Sequence, residues 1–378
     1  ALAAVAVLAG FLTVRSEWFR EKVRQRIVFE VERATGGRVE LENYAFDPVR
    51  LTARVGGFTL RGKERPDEPP LFHADRVEAG IRVISVLRRD IDLVFLAVRS
   101  PRIHIIVYPD NSTNFPSPAH RRGRTDAIGF LLKLAVGRFA VENGVLQFAA
   151  RRIPIETRGE NLQAKFTFDH TGPRYLGDVR VERLRLDTPG IRPAVFDAAW
   201  KVMVERGRIA VAEARFSLGR SWITASGAFE NFSDLRARFD VDARLYLDEV
   251  ARSVNLPVER RGVAAVRGEA VFGGNPAYSF RGTLNGYGLA AAGSGVSVRG
   301  ARVNAGLELD PRGVRLDKVA VSAAGGVFQG RARIDDWNRF SLAGEVFEYS
   351  LDELAAVAEN MPPAVWSGSV SGRLAVQG

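Results

Sequence analysis

The chain has 378 residues, 54 Lys+Arg against 44 Asp+Glu for a net charge of +10, and no cysteine. Its length allows two or three domains, and 46% apolar residues can bury real cores, which excludes wholesale disorder. The missing cysteine excludes disulfide scaffolds, Cys-based zinc or iron–sulfur sites and Cys nucleophiles.

Residues 1–14 carry no charge, and the first residue is not Met, so the segment reads as truncated at its start. It is shorter than the roughly 20 apolar residues that span a bilayer. No small-residue cleavage site follows it, as a signal peptide would require. The chain runs instead into Ser16–Arg33, where Phe19, Val23 and Ile27 recur at helical spacing. Trp18 and Phe19 fall where an interfacial aromatic belt lies. The expectation for 1–35 is an uncleaved membrane anchor with a juxtamembrane helix; a buried N-terminal helix is the alternative. Arg15, Arg20, Lys22, Arg24 and Arg26 follow the apolar stretch, a bias that by the positive-inside rule argues against an exported body.

After Gly36-Gly37 the period changes to two. Ile103, Ile105 and Val107 share one strand face; Leu162, Ala164, Phe166 and Phe168 share another, opposite Gln163, Lys165 and Thr167. The run 236–247 is the clearest: Ala237, Phe239, Val241, Ala243, Leu245 and Leu247 oppose Arg236, Arg238, Asp240, Asp242, Arg244 and Tyr246. Val303, Ala305, Leu307 and Leu309 repeat the pattern. Such alternation means sheets with one apolar and one wet face. Asn143-Gly144, Asn285-Gly286 and Asp310-Pro311-Arg312-Gly313 read as turns. Short helices are expected at 84–88, 126–134 and 351–360. Residues 110–125, rich in proline, read as a mobile surface loop between an N-terminal β module (36–109, with one short helix) and a longer repeated segment (126–378).

An internal repeat underlies that last segment. Leu247-Asp-Glu-Val-Ala251 and Leu351-Asp-Glu-Leu-Ala355 lie 104 residues apart, as do Gly268 and Gly372; Gly227 and Gly330 lie 103 apart. Each copy reads as strands, a short helix at Leu-Asp-Glu, then more strands. A β repeat with one apolar face stacks on its neighbours to cover it, so an elongated sheet is expected rather than one closed globule.

The search for chemistry returns little. His73, His104, His120 and His170 are scattered, none at metal-ligand spacing, so no metal or cofactor is expected. No nucleophile-elbow, metalloprotease or phosphate-loop pattern occurs, so no enzyme is expected. Gly286-Tyr-Gly-Leu-Ala-Ala291 mimics a dinucleotide fingerprint but lacks its third glycine and βαβ setting. The paired acids Asp248-Glu249 and Asp352-Glu353 read as dipole compensation at helix starts. Of the basic residues 48 are Arg and 6 Lys, spread evenly apart from Arg121-Arg122-Gly-Arg124, which points to solvated strand faces and not to nucleic acid. What remains is the apolar face, which as a curled trough suits acyl chains and closed on itself makes a dry core.

The chain resembles the AsmA-like superfamily of bacterial envelope proteins, TamB-like members in particular. The carrying residues are Ser16-Glu-Trp-Phe19, Glu32–Glu40, Phe46-Asp-Pro-Val-Arg-Leu51 with Gly57–Leu60, Ile84–Ile91, Ser100–Ile103 with Pro109–Asn114, and Glu142–Leu146; beyond residue 150 only the repeat style matches. The resemblance implies a mainly β fold, an elongated repetitive antiparallel sheet curled into an open groove (a β-taco), with an N-terminal membrane-anchor helix and a few short helices. It implies a single inner-membrane anchor, a periplasmic body, and phospholipid moving towards the outer membrane along the groove. It also implies an outer-membrane partner protein met through a C-terminal region not in this chain. Expected lining residues are Ile103, Ile105, Val107, Leu162, Phe166, Phe168, Phe239, Val241, Ala243, Leu245, Leu247, Val303 and Leu307. The alternatives are a scaffold that assists outer-membrane protein assembly by β-augmentation, and a β-rich adhesin or glycan-processing enzyme.

Overall fold

The computed structural model describes residues 17–81, 93–110, 112–116, 132, 136–151, 155–188, 191–230, 236–253, 259–273, 278–293, 296–357 and 367–378. The expected anchor over 1–16, the side chains of Trp18 and Phe19, the helix at 84–88, that at 126–134 apart from Leu132, His120 and Arg121–Arg124 lie outside the described residues.

The first element is helix α1 (Glu17–Thr35). An acid in its first turn and Arg33 in its last suit the helix dipole. Gly36, at φ 74°, ends it by donating its N–H to the Glu32 carbonyl at 2.7 Å. Ile27, Val28 and Val31 pack on Val39, Leu41 and Val55 of the sheet below. Among the described residues no helix is long and apolar enough to cross a membrane.

The chain divides into two compact units, one of residues 1–189 with 193–210, the other of 190–192 with 211–378. In the first lie β1 (Arg38–Glu40), β2 (Asn43–Asp47), β3 (Thr52–Arg61), β4 (Phe72–Ile81), β5 (Leu93–Val107), β6 (Arg138–Ala150), β7 (Ile155–Asp169), β8 (Arg174–Thr188) and nearly all of β9 (Ile191–Glu205). β1 and β2 both pair with β3, at opposite halves of it, and β3–β4–β5 and β6–β7–β8 are antiparallel. The expectation of a purely antiparallel sheet fails at one place: β5 and β6 are parallel, Ile103 beside Leu146. A parallel pair needs a long return connection, and residues 108–137 supply it. The described part of that connection is not a mobile loop. Asn114 is fully buried, its Oδ1 accepting from Ile106 N–H at 3.0 Å and its Nδ2 donating to the His104 carbonyl at 2.7 Å. It thus occupies the stretch of β5 edge that β4 is too short to reach.

After β10 (Arg208–Leu218), which straddles the division, the second unit holds β11 (Ser221–Glu230), β12 (Arg236–Tyr246), helix α2 (Leu247–Ser253), β13 (Glu259–Phe272), β14 (Tyr278–Gly293), β15 (Val296–Asp310), β16 (Gly313–Ala323), β17 (Gly326–Asp335), β18 (Arg339–Ser350), helix α3 (Leu351–Val357) and β19 (Ser369–Gln377). From β11 to β19 each strand pairs antiparallel with the next, and the pairings run in a line without closing. The sequence repeat is visible in this order: three strands, a seven-residue helix, then a strand, in β10–β13 and again in β16–β19.

Two expected turns are something else. Asn143-Gly144 lies inside β6 and Asn285-Gly286 inside β14, and at both the strand register shifts. Asn143, at φ 54°, uses its left-handed conformation to bulge the strand rather than to reverse the chain. Ser100, Asn161, Arg183, Lys318 and Glu348 sit in other long strands with the same positive φ. The turn at Asp310–Gly313 is where it was expected.

Candidate functional site: an apolar sheet face

The structure sorts the expected lining residues into two sets, one per unit. In the first unit Ile103, Ile105 and Val107 are half-buried on β5, Phe166 is half-buried on β7, and Leu162 and Phe168 are buried there. Their face is already covered in part. Phe168 and Tyr175 form a cluster with Leu132 and Val136, against which Leu93, Leu96, Phe166 and Val204 pack. The deepest side chain of β5 is Ile106, on the opposite face to the expected three, enclosed beneath Asn114. Next to it the half-buried His104 keeps Nδ1 without a hydrogen-bond partner.

In the second unit strand register joins the expected residues into continuous rows. Val241 faces Gly268, Gly268 faces Gly282, Gly282 faces Leu307, and the row goes on through Leu316, Ala332, Leu342 and Val376. A parallel row runs from Phe239 through Ala270, Phe280, Leu309, Val314 and Ile334 to Phe340. Another links Leu245 through Ala264 and Gly286 to Val303 and Val321. Leu247 is apart from these, as the first residue of α2. The residues missing from the sequence-based set are those of β13, β14 and β16–β19, with Leu309 of β15; for the later strands their alternation, Val314 with Leu316 and Leu374 with Val376, was the available signal.

Aromatic rings on this face lie against glycines. A Cβ at Gly268 would come within 2.8 Å of Phe280 Cζ, one at Gly227 within 2.8 Å of Phe239, and one at Gly330 within 2.7 Å of Phe328. The facing glycine pairs Gly268/Gly282 and Gly330/Gly344 therefore let rings fold down over the sheet instead of standing on it. The interior of the face is packed through Ala305, Val319 and Phe328. Towards the later strands it is open: Ile334 is 42% exposed and Phe340 50%, with Leu374 and Val376 also exposed.

The opposite face carries a cross-strand ladder of charge, Asp240–Glu269–Arg281–Glu308–Arg315–Arg333. Glu308 accepts from Arg281 Nε at 2.9 Å and from Arg315 at 3.2 Å, and Asp242 from Arg267 at 2.6 Å. The steps Glu269–Arg281, Arg281–Glu308 and Glu308–Arg315 set opposite charges across from one another and favour this register, whereas Asp240–Glu269 and Arg315–Arg333 at the two ends are like pairs that oppose it. Two concavities of about 650 and 780 Å³ lie along this charged side, lined among others by Arg281, Glu308 and Arg315, and by Asp240, Asp242 and Arg267.

The paired acids of α2 do more than compensate a dipole. Glu249, 9% exposed, accepts from Ser221 Oγ at 2.6 Å, Ser221 N–H at 2.9 Å, Arg220 N–H at 3.0 Å and Arg220 Nε at 3.1 Å. Asp248 takes the other end of Arg220 at 2.7 Å, and that guanidinium stacks 4.3 Å from the Tyr246 ring centre. Burial alone would raise the Glu249 pKa; the donors from Ser221 and Arg220 outweigh it and hold the carboxyl at about 2. The group clamps α2 onto the β10–β11 turn. Among the described residues no cluster of three or more His, Asp or Glu could hold a metal ion. No protein-family model and no curated protein matches this chain.

Proposed function

We propose that the protein is a conduit for lipid acyl chains, with the apolar face of the second unit as its sliding surface. The observation that supports this reading is the register-linked apolar face across β11–β19, open at its later strands and backed by an opposite face that carries the charged ladder. A monomeric soluble sheet rarely leaves so long an apolar face uncovered without a partner. Acyl chains fit it because they need apolar area and no directional contacts, each buried methylene gaining roughly 0.8 kcal/mol. Rings laid flat over glycines leave no deep pocket to arrest a chain. In this reading the sheet curls into a groove, an N-terminal anchor holds it to the inner membrane with the body in the periplasm, and phospholipid moves towards the outer membrane, as the AsmA-like resemblance implies.

The test places a photo-crosslinking residue at Phe239 or Phe340 and, as control, at Arg281 on the charged face, with the protein expressed in a bacterial envelope. Mass spectrometry should find phospholipid on the first two and not on the third. Adducts only with protein, or equal lipid at all three, would overturn the reading.

A second reading is a scaffold for outer-membrane protein assembly, in which a strand edge templates an incoming strand by β-augmentation. Crosslinks from Arg373 to a client protein, with none to lipid at Phe239, would favour it.

A further inference from the structure

The repeat provides an internal comparison. Helices α2 and α3 begin with the same Leu-Asp-Glu, each follows the third strand of its copy, and each places its Glu beside the preceding hairpin turn. The turns differ. The first copy reads Gly219-Arg220-Ser221, and its side chains and backbone supply every donor to Glu249. The second reads Ala324-Gly325-Gly326, with no side-chain donor. Glu353 Cδ lies 3.5 Å from where a Cβ on Gly325 would be, so the acid lies against its turn, but exposed where Glu249 is buried. Yet the Glu353 carboxylate has no hydrogen bond or ion pair among the described residues. Asp352 turns to the Ser350 hydroxyl instead of to an arginine. A Cβ on Gly326 would strike Tyr349 at 2.5 Å, so the ring fills the space where Ser221 stands in the first copy. α3 has no buried residue, whereas α2 buries Glu249.

We propose that α3 is a releasable latch and α2 its locked counterpart. Lifting α2 breaks a buried carboxylate away from four donors and strands both sides without partners. Lifting α3 breaks no buried carboxylate contact: it costs the partial burial of Leu351, Leu354, Ala355 and Val357 and the single Leu351 N–H bond to the Gly368 carbonyl at 3.0 Å. α3 packs on β15 and β18, so its release uncovers the ends of the strands between them. Resting on the acyl-chain reading, this opening is the lateral entrance to the apolar face.

Hydrogen exchange of the whole chain without lipid, followed by mass spectrometry, reads the latch directly. Amides of 354–357 should exchange at least about tenfold faster than those of 250–253 after correction for intrinsic rates. Glu249→Gln should raise α2 exchange by about tenfold or more, while Glu353→Gln leaves α3 unchanged. Equal protection of the two helices in the unaltered chain, or an α3 that loosens on Glu353→Gln as α2 does on Glu249→Gln, would overturn the proposal. Leu354→Ser, which removes part of the apolar contact of α3, should speed α3 exchange further and raise uptake of a fluorescent phospholipid from vesicles. If α3 exchange speeds and uptake does not rise, the entrance role is lost while lipid crosslinking at Phe239 still stands. If Phe239 never captures lipid, the acyl-chain reading fails and the exchange difference remains.

Discussion

Glu249 illustrates how much one side chain can fix. Glu249→Gln keeps the shape but removes the charge that four donors address, and should cost about 2–3 kcal/mol in urea denaturation. The same group sets an acid limit. Its carboxyl titrates at about 2 in the fold against 4.5 when free, so its contribution is complete above pH 4.5 and fades as pH falls towards 2. Stability of the parent chain should therefore drop between pH 4.5 and 2 more steeply than that of Glu249→Gln. A coincident pH profile for the two would refute the clamp. Asn114 is the matching case in the first unit. Asn114→Ala leaves the Ile106 N–H and His104 carbonyl buried without partners, an expected loss of about 2–3 kcal/mol by the same measurement. Neither role could be read in the sequence. An Asp-Glu pair at a helix start has an ordinary local explanation, and an asparagine in a proline-rich segment looks like loop; the Glu249 partners lie 28 and 29 residues back, and those of Asn114 are backbone groups of β5, which no side-chain pattern marks.

At the scale of the strand, the alternation of Phe239, Val241, Ala243 and Leu245 against Arg238, Asp240, Asp242 and Arg244 was legible because a strand imposes a period of two on any half-buried chain. Bulges were not legible. Asn-Gly is the signature of a tight turn and also of a residue able to adopt positive φ within a strand, and only the neighbouring strand decides between them. Asn143→Gly should be neutral or slightly stabilising, and Asn143→Val should cost about 1–2 kcal/mol, since a β-branched residue resists φ 54°. Thermal denaturation of the two variants checks this; equal melting temperatures would argue that the bulge relaxes away. The charged ladder should be energetically shallow. Both partners of Glu308 are exposed arginines, so Glu308→Gln should change stability by less than about 1 kcal/mol, with the difference shrinking further at high salt.

For the molecule as a whole, the testable quantity is traffic along the apolar rows. Val241→Asp and Leu245→Arg place charges on two rows of the second unit that flank the Ala243 row, where an acyl chain would have to pass them undissolved. Both variants should reach the envelope, keep a β-type circular dichroism spectrum, and lower lipid capture at Phe340 by about tenfold or more, since one charge buried against a chain outweighs several methylenes. Unchanged capture in a folded variant would sink the conduit reading. Arg281→Gln, on the charged face, should leave capture as it is.

The sequence by itself determined the β class, the two-faced strands, the repeat and its short Leu-Asp-Glu helices. These follow from local periodicity and from spacing along the chain, which any strand or helix must obey. Tertiary structure decided the parallel β5–β6 pair, the bulges in place of turns, and which apolar residues are spent on packing. Phe168 and Phe239 look alike in sequence. One is buried under Leu132 and Val136, and the other belongs to a row that reaches the exposed Phe340. That difference arises from which segments lie over each face, and contacts between distant segments leave no period in the chain.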